Sequence, residues 1–363
     1  MRDVSIVIPT WNARALLAEF LPSVVDAAQH FTGSYDQQVE IIVVDDASTD
    51  DTPPLVANFI SKFGFVRAEK LPCNSGFVAA ANAGFAAARF GVILLLNNDV
   101  RVELESIAPL VAHFTNDSVF AVCSKAMRLG TDHLDGGGKL GLFERGFWRV
   151  FLNYDVSTGQ EMKDGERWPS FFGSGGYTAY SASKIKALGG FNELLAPAYW
   201  EDVEICYRAW KRGWVVEYEP NSLVYHVSSA TMKDRDLHRR MKVVSDRNRL
   251  LTIWMNLHDR VWFRKHLFWL ALKLSAAGLS LDFGFWRAFL QALRRMSAVK
   301  SVRRREREAA VRSDREIDSI FRSVAGNGRV RVLRNVRDYL NSSSTGNLQP
   351  GTAGSASAPS PRR

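Results

Sequence analysis

Several short clusters in this chain combine residue types that do chemistry, and each also has a plainer structural use. Asp45-Asp46-Ala47-Ser48-Thr49-Asp50 places two carboxylates directly after an apolar run. A carboxylate at a strand end accepts the N3–H of a uracil or thymine ring, or the hydroxyls of ribose. Ser48, Thr49 and Asp50 are good helix N-caps, but capping requires only one of them and gives no reason for two adjacent acids. Asn97-Asn98-Asp99 follows a second apolar run. It is strong turn chemistry. It is also a set of hard oxygen ligands on which a divalent cation would bridge a diphosphate, Asp99 directly and Asn97 directly or through water. Trp200-Glu201-Asp202-Val203-Glu204 puts three acids at the start of a helix. Acids there favour the macrodipole; three exceed what a cap requires, and their mutual repulsion would lift one pKa towards that of a general base. Gly173-Ser174-Gly175-Gly176 either lets backbone approach a substrate, at Gly175 and Gly176, or is a flexible turn. His226, in Val224-Tyr225-His226-Val227, gains meaning as a ligand only from its neighbours.

The elements that must position these residues alternate between strand and helix over the first hundred residues, as in an open α/β sheet. Apolar runs predict strands at Val4–Ile8, Val39–Val44, Phe65–Ala68 and Val92–Leu96, and helices over Leu16–Ala28, Asp50–Phe63 and Phe77–Phe90. The ends Pro9-Thr10, Asp45-Asp46 and Asn97–Asp99 then lie side by side at the C-terminal edge, where open α/β sheets bind ligands. Residues 126–172, rich in Gly and charge and including Asp135-Gly136-Gly137-Gly138, read as a long excursion over the active face. A helix over Ala198–Ala209 and strands near Val215–Tyr218 and Leu223–His226 follow. From about Ala230 the pattern turns to helices rich in Trp and Arg, and after Asn341 a Ser, Gly, Pro and Thr run predicts disorder.

With 363 residues, 46% of them hydrophobic, the chain can bury one large core and a smaller appendage. Its formal charge of +9 points to an anionic partner: nucleic acid, an acidic substrate or an anionic membrane surface. Cys73, Cys123 and Cys206 are far apart and odd in number, which suits a reducing compartment rather than a disulfide framework. Met1 leads through a charged pair into a strand pattern without signal-peptide character, so the N-terminus is expected to stay in the cytosol.

Leu267–Trp286 is interrupted by Lys273 and Asp282, short of the about 18 apolar residues a membrane span requires. His266, Lys273, Ser280, Arg287 and Arg294 recur every seven residues, which predicts one polar stripe on a long helix, with Phe268, Trp269, Leu272, Leu279, Phe283 and Trp286 elsewhere around it. Such a helix suits the interface of an anionic membrane, or packing against the catalytic part. Between Arg287 and Arg315 there are ten Lys/Arg against three Asp/Glu. No nucleic-acid reading motif accompanies that block, so no specific nucleic-acid partner is expected.

In order and spacing these residues resemble glycosyltransferase family 2 over roughly residues 3–250. The fragments are Ser5-Ile6-Val7-Ile8-Pro9-Thr10-Trp11-Asn12, Val43 to Asp50, Asn74-Ser75-Gly76-Phe77, Asn82-Ala83-Gly84, Leu95 to Asp99, Gly189-Gly190-Phe191-Asn192-Glu193, Trp200-Glu201-Asp202 and His226. The resemblance implies an α/β GT-A fold, a Rossmann-like mixed sheet flanked by helices, with a C-terminal helical appendage. It implies a nucleotide-diphosphate sugar donor, Mg²⁺ or Mn²⁺, and inversion at the anomeric carbon. Asp45 or Asp46 would hold base and ribose, with Pro9, Thr10, Asn12, Asn74, Gly76, Asn82 and Asn98 around the donor. Asp99 would bind the metal, with His226 completing its shell. Asp202 would be the base beside Glu201, and Trp200 would stack on the acceptor sugar.

The family's Asp-x-Asp begins here with Asn97, a form similar to the rhamnosyltransferase-like branch, which makes UDP- or dTDP-sugars the implied donors. The acceptor would be a glycan or lipid-linked saccharide of bacterial cell-surface polysaccharide synthesis, met at the cytoplasmic face of the membrane. The division expected is a catalytic domain over 1–230 (donor half about 1–100, acceptor half about 101–230), amphipathic helices over 231–300 and a basic, largely disordered tail over 301–363.

Rival classes make different demands. A dinucleotide oxidoreductase requires Gly-x-Gly-x-x-Gly after the first strand, where this chain has Pro9-Thr10-Trp11-Asn12. A metal-dependent nucleotidyltransferase acting on sugar phosphates shares the layout and the strand-end acids, and differs in releasing pyrophosphate. A non-catalytic basic binding protein would leave Asp99 and Asp202 dispensable.

Overall fold

The computed structural model describes residues 1–156, 166–227 and 235–333. Its first half is β1 (Val4–Thr10), α1 (Arg14–Tyr35), β2 (Val39–Asp45), α2 (Thr52–Lys62), β3 (Val66–Lys70), α3 (Phe77–Ala87) and β4 (Val92–Leu96). β1, β2 and β4 are buried along their whole length, as parallel strands are when helices cover both faces. The Ala-rich α3 can press close to the sheet because its side chains are small: a Cβ on Gly84 would come within 2.2 Å of Val7 Cγ1.

There follow β5 (Val100–Val102), α4 (Ile107–Ala112), β6 (Val119–Arg128), β7 (Leu134–Gly136), β8 (Gly138–Glu144), β9 (Phe147–Val156), β10 (Trp168–Pro169), β11 (Tyr177–Ser181), α5 (Ala182–Leu188), α6 (Glu201–Lys211) and β12 (Val215–His226). The main sheet runs β10-β12-β6-β11-β4-β1-β2-β3, with β5 on β12 and β7 on β6. β1 to β4 are parallel, and β11 enters antiparallel to β4 and β6. The two strands expected at Val215–Tyr218 and Leu223–His226 are one strand, irregular between Glu219 and Leu223.

Two expectations change. Residues 126–156 are not a loop: β6 runs on to Arg128, β7 follows, and β8 and β9 form a second sheet with a strand from the C-terminal region. Its core of Phe143, Trp148 and Tyr154 could not be read locally, because the partners lie far along the chain. The helical region is α7 (Arg235–Asn256), α8 (Arg260–Leu279), α9 (Phe283–Leu293), α10 (Met296–Glu308), α11 (Asp314–Ala325) and β13 (Val330–Leu333), so folded structure continues well past residue 301. The reason is burial: Asp314 accepts from Tyr207 Oη, Lys211 Nζ and the backbone N–H of His258 and Asp259. β13 completes the second sheet beside β9. The disorder expected after Asn341 concerns residues outside those described.

The heptad stripe is also broken. Leu281, at φ +55°, ends α8, and Asp282 caps α9. His266 is buried, its Nε2 accepting from Trp254 Nε1 and its Nδ1 facing the Gly146 carbonyl, and burial lowers its pKa to about 4. Lys273 lies 4.0 Å over the Phe285 ring. α8 and α9 and the turn between them expose Leu267, Phe268, Leu272, Leu279, Leu281, Phe283, Leu290 and Leu293, alongside the exposed cations Arg264, Lys265 and Arg287. No helix among the described residues is long and apolar enough to cross a membrane.

Candidate active site

β1 lies between β2 and β4, so the three expected strand ends are neighbours. Asn98 Nδ2 donates to Thr10 Oγ1 at 3.0 Å and the Asp46 N–H donates to the Thr10 carbonyl, tying the ends together. Pro9 and Thr10 are themselves buried beneath this rim. The two acids of the second strand differ. Asp46 accepts from Ser75 N and Gly76 N, 2.8 Å each, and thereby fixes the loop before α3. Asp45 accepts from Ser48 N through Oδ1 and leaves Oδ2 buried with no partner. Asp45 is therefore the acid with an oxygen to offer a ligand.

Others expected around the donor are committed to the scaffold. Asn12 Oδ1 accepts from the backbone of Thr49 and Asp50, lacing the first two strand ends. Asn82 closes a two-bond pair with the backbone of Phe191, which fixes its amide to the scaffold. Gly76, at φ +87°, lets the chain pass Pro197, where a Cβ would approach to 2.5 Å. Asn74 is exposed on the same loop.

Asp99 stands at the start of β5, whose pairing with the end of β12 brings it to His226. His226 Nε2 lies 3.3 Å from Asp99 Oδ1, yet that oxygen is buried without a hydrogen bond. His226 Nδ1 meets Asp135 Oδ2 at 2.8 Å. Burial alone would lower the His226 pKa; the hydrogen bond to Asp135 and the charge of Asp99 outweigh it and raise it to about 9. The row Asp135–His226–Asp99 has the form in which a carboxylate orients a histidine towards a metal. Among the described residues no group of three or more His, Cys, Asp or Glu encloses a cation site. Two protein ligands suit a cation shared with substrate phosphates, and Asp99 with a deprotonated His226 would fit one, the cation replacing the ion pair between them. The Asn97 side chain packs against Gly176, where a Cβ would come within 2.7 Å of its Nδ2. Asp135 escaped sequence reasoning because its partner is 91 residues away; the Asp135-Gly136-Gly137-Gly138 run was the only signal.

The Gly175-Gly176 turn joins this site to α6. The Gly176 carbonyl accepts from Asn97 N at 2.9 Å, and Gly175 N donates to Asp202 Oδ2 at 3.2 Å. Gly176 is called for by close approach to Asn97, whereas a Cβ on Gly175 would meet its neighbours no nearer than 3.4 Å. Asp202 keeps partial exposure at the head of α6, whereas Glu201 is buried with Oε2 unpartnered. Burial pushes the Glu201 carboxyl well above the carboxylate range, and the neighbouring Asp202 charge adds to this. Burial also raises Asp202, while N–H donors from Val203 and Gly175 and the buried Lys139 ammonium hold it back. Both carboxyls are thus raised, and Asp202 is the one that keeps N–H donors.

Of the three acids, Glu204 is fully buried and bound to Arg208 at 2.9 Å, which leaves it unavailable as a base. One expectation at this helix fails. Trp200 is 4% exposed and cannot stack on an acceptor sugar. Its loop is held from α7, where Asn248 Nδ2 donates to the carbonyls of Leu195, Ala198 and Tyr199, a buried clamp that the sequence pattern did not reveal.

A mixed sheet whose parallel strand ends carry these acids defines a GT-A-like fold. It matches GalNAc-T7 solved with UDP, GalNAc and Mn²⁺ at a TM-score of 0.55, with 18% identity, over 71% of this chain and 49% of that one. It also matches the mannosyltransferase PcManGT of Pyrobaculum calidifontis, solved with GDP-Man and Mn²⁺, at a TM-score of 0.50, with 14% identity, over 89% and 85% of the two chains. The chain belongs to the glycosyl transferase family 2, whose family model matches residues 5–189. The pre-mycofactocin glycosyltransferase of Mycobacterium tuberculosis is 26% identical over 233 residues, 64% of this chain and 44% of that protein. The chain thus spans less than half the length of that relative.

Proposed function

We propose that this chain is an inverting, metal-dependent glycosyltransferase that moves a sugar from a UDP- or dTDP-sugar to a saccharide or lipid-linked saccharide acceptor. The observation that carries this reading is the single turn, Gly175-Gly176, that bonds both to the Asn97–Asp99 strand end and to Asp202. That turn supports a reading in which a diphosphate-and-metal side and a base side would lie next to one another. Asp45 Oδ2 would take the base or ribose. Asp99 and His226 would hold Mg²⁺ or Mn²⁺, with Asp135 orienting His226; the cation would offset charge on the departing nucleoside diphosphate. Asp202 would accept the proton of the attacking acceptor hydroxyl. One displacement from the face opposite the leaving group inverts the anomeric centre. The test is the identity of the nucleotide released on incubation with UDP- and dTDP-sugars, metal and acceptor: a nucleoside diphosphate supports transfer.

The same proposal places the enzyme in bacterial cell-surface polysaccharide synthesis, peripherally bound at the inner membrane face. The exposed apolar residues of α8 and α9 support this, and the charge beside them agrees. Residues 260–308 carry twelve Lys/Arg against three Asp/Glu, an excess equal to the whole chain's formal +9. Apolar residues within a cationic surround suit an anionic bilayer. The protein should therefore sediment with phosphatidylserine-containing vesicles at low salt and release as salt rises. Replacing Leu279 and Phe283, 89% and 71% exposed, by Glu should abolish sedimentation without moving the melting temperature. Equal sedimentation of variant and wild type would contradict it.

A further inference from the structure

Strand β9 carries an irregularity with a consequence for the acceptor. Leu140 pairs with Leu152 and Leu142 with Arg149, so Val150 and Phe151 together face the single residue Gly141. This is a β-bulge, which re-aims a side chain. Gly141 is required opposite it, since a Cβ there would meet the Phe171 ring at 2.1 Å. Val150 points into the core at 0% exposure, and Phe151 is turned outward at 70%.

That ring is not loose. Its centroid lies 5.9 Å from the buried Trp200 ring at an interplanar angle of 85°, an edge-to-face contact. Trp200 is gripped in turn by Arg249, whose Cζ is 5.8 Å from the Trp200 centroid and whose Nη2 donates to the Trp148 carbonyl. Trp200 is also the residue before the Glu201-Asp202 pair, and Tyr199, at φ +74° and 36% exposed, flanks it. A large aromatic ring is thus held open to solvent, braced from behind, beside the head of the helix that bears the base.

We propose that Phe151 is the acceptor platform: a pyranose ring lays its apolar C–H face on the Phe151 ring and so brings a hydroxyl towards Asp202. The partner is a saccharide because the face offered is a single flat π surface, which takes the weakly positive C–H face of a sugar, next to a carboxylate that takes a hydroxyl proton. This rests on the transferase reading above and names the surface that Trp200, being buried, does not supply.

The experiment measures binding of the full chain, with UDP and Mn²⁺, to an array of bacterial surface saccharides, for wild type, Phe151→Ala and Phe151→Trp. Melting with and without UDP and Mn²⁺ is recorded for each. The wild type should bind a set of saccharides, Phe151→Ala should weaken that binding by about 5-fold or more, as loss of one aromatic stack does, and Phe151→Trp should keep it. All three should share one melting temperature and one gain from UDP and Mn²⁺, which a general loss of structure would not allow. Saccharide binding by Phe151→Ala equal to wild type overturns the proposal, as does a wild type that binds no saccharide. In the latter case, stabilisation by UDP and Mn²⁺ leaves the donor reading standing, and its absence removes both.

Discussion

Asp202→Asn should slow sugar transfer by about 10²–10⁴-fold, the usual worth of a positioned general base, while donor affinity changes by no more than about twofold, since the lost interaction belongs to the transition state. The amide keeps the carboxylate's shape and, with its oxygen in the Oδ2 position, the bond from Gly175 N; it gives up the bond from Val203 N and removes the proton acceptor. Because burial raises the Asp202 pKa, the wild-type rate should fall on the acid side above the ordinary carboxylate range, and that limb should vanish in the variant. Neighbouring acids supply the controls. Glu201 is buried and its carboxyl is pushed up by burial, so Glu201→Gln, which keeps its shape, should retain most activity. Glu204→Gln weakens an internal ion pair, because Arg208 joins Glu204 to the carbonyls of Leu188 and Gly190; it should lower the melting temperature rather than select against turnover. Steady-state kinetics over a pH series and melting curves check all three. Full activity in Asp202→Asn would move the base elsewhere.

Asp99→Ala should remove metal-dependent nucleotide binding. UDP or dTDP at about 100 times its dissociation constant contributes about 2.7 kcal/mol of stability. In the wild type that gain should require Mg²⁺ or Mn²⁺ and disappear with EDTA; in Asp99→Ala it should be absent with or without metal. Asp135→Asn should behave differently. It leaves Asp99 and His226 in place and removes only the carboxylate at His226 Nδ1, so Mn²⁺ affinity in the presence of UDP should fall by about 10- to 100-fold, the usual worth of such a partner. Manganese titration followed by electron paramagnetic resonance reads this without turnover. Unchanged affinity in both variants would remove the cation from this site.

Strands buried on both faces announce themselves, so β1, β2 and β4 were legible as apolar runs and the polar residues ending them as one edge. The acids at Asp45, Asp99 and Asp202 were legible for the same reason: each breaks an element's pattern at its end. What the sequence hid depends on contacts between distant segments. Residues 138–144 pair with β9, which itself pairs with Val330–Leu333, and residues 134–136 pair back on β6, so nothing local marks them as sheet. His266 falls on a seven-residue polar repeat, but Trp254 and Gly146 satisfy it inside the protein. Trp200 was misplaced because residue type indicates what a side chain could do and not whether it is covered. Asp45 and Asp46 were indistinguishable until the Ser75-Gly76 loop was seen to occupy one of them.

The central claim is that this site cuts the bond between a sugar and a nucleoside diphosphate. Its most direct measurement is the nucleotide produced when the purified protein meets UDP- and dTDP-sugars with Mn²⁺ and a saccharide acceptor pool, resolved by anion-exchange chromatography. The account predicts UDP or dTDP as the nucleotide product, formed only with the divalent ion and strongly reduced in Asp202→Asn, together with a glycosylated product of inverted anomeric configuration. Release of pyrophosphate from a nucleoside triphosphate and a sugar phosphate, with no nucleoside diphosphate from any sugar donor, would contradict it and assign the same strand-end acids to nucleotidyl transfer.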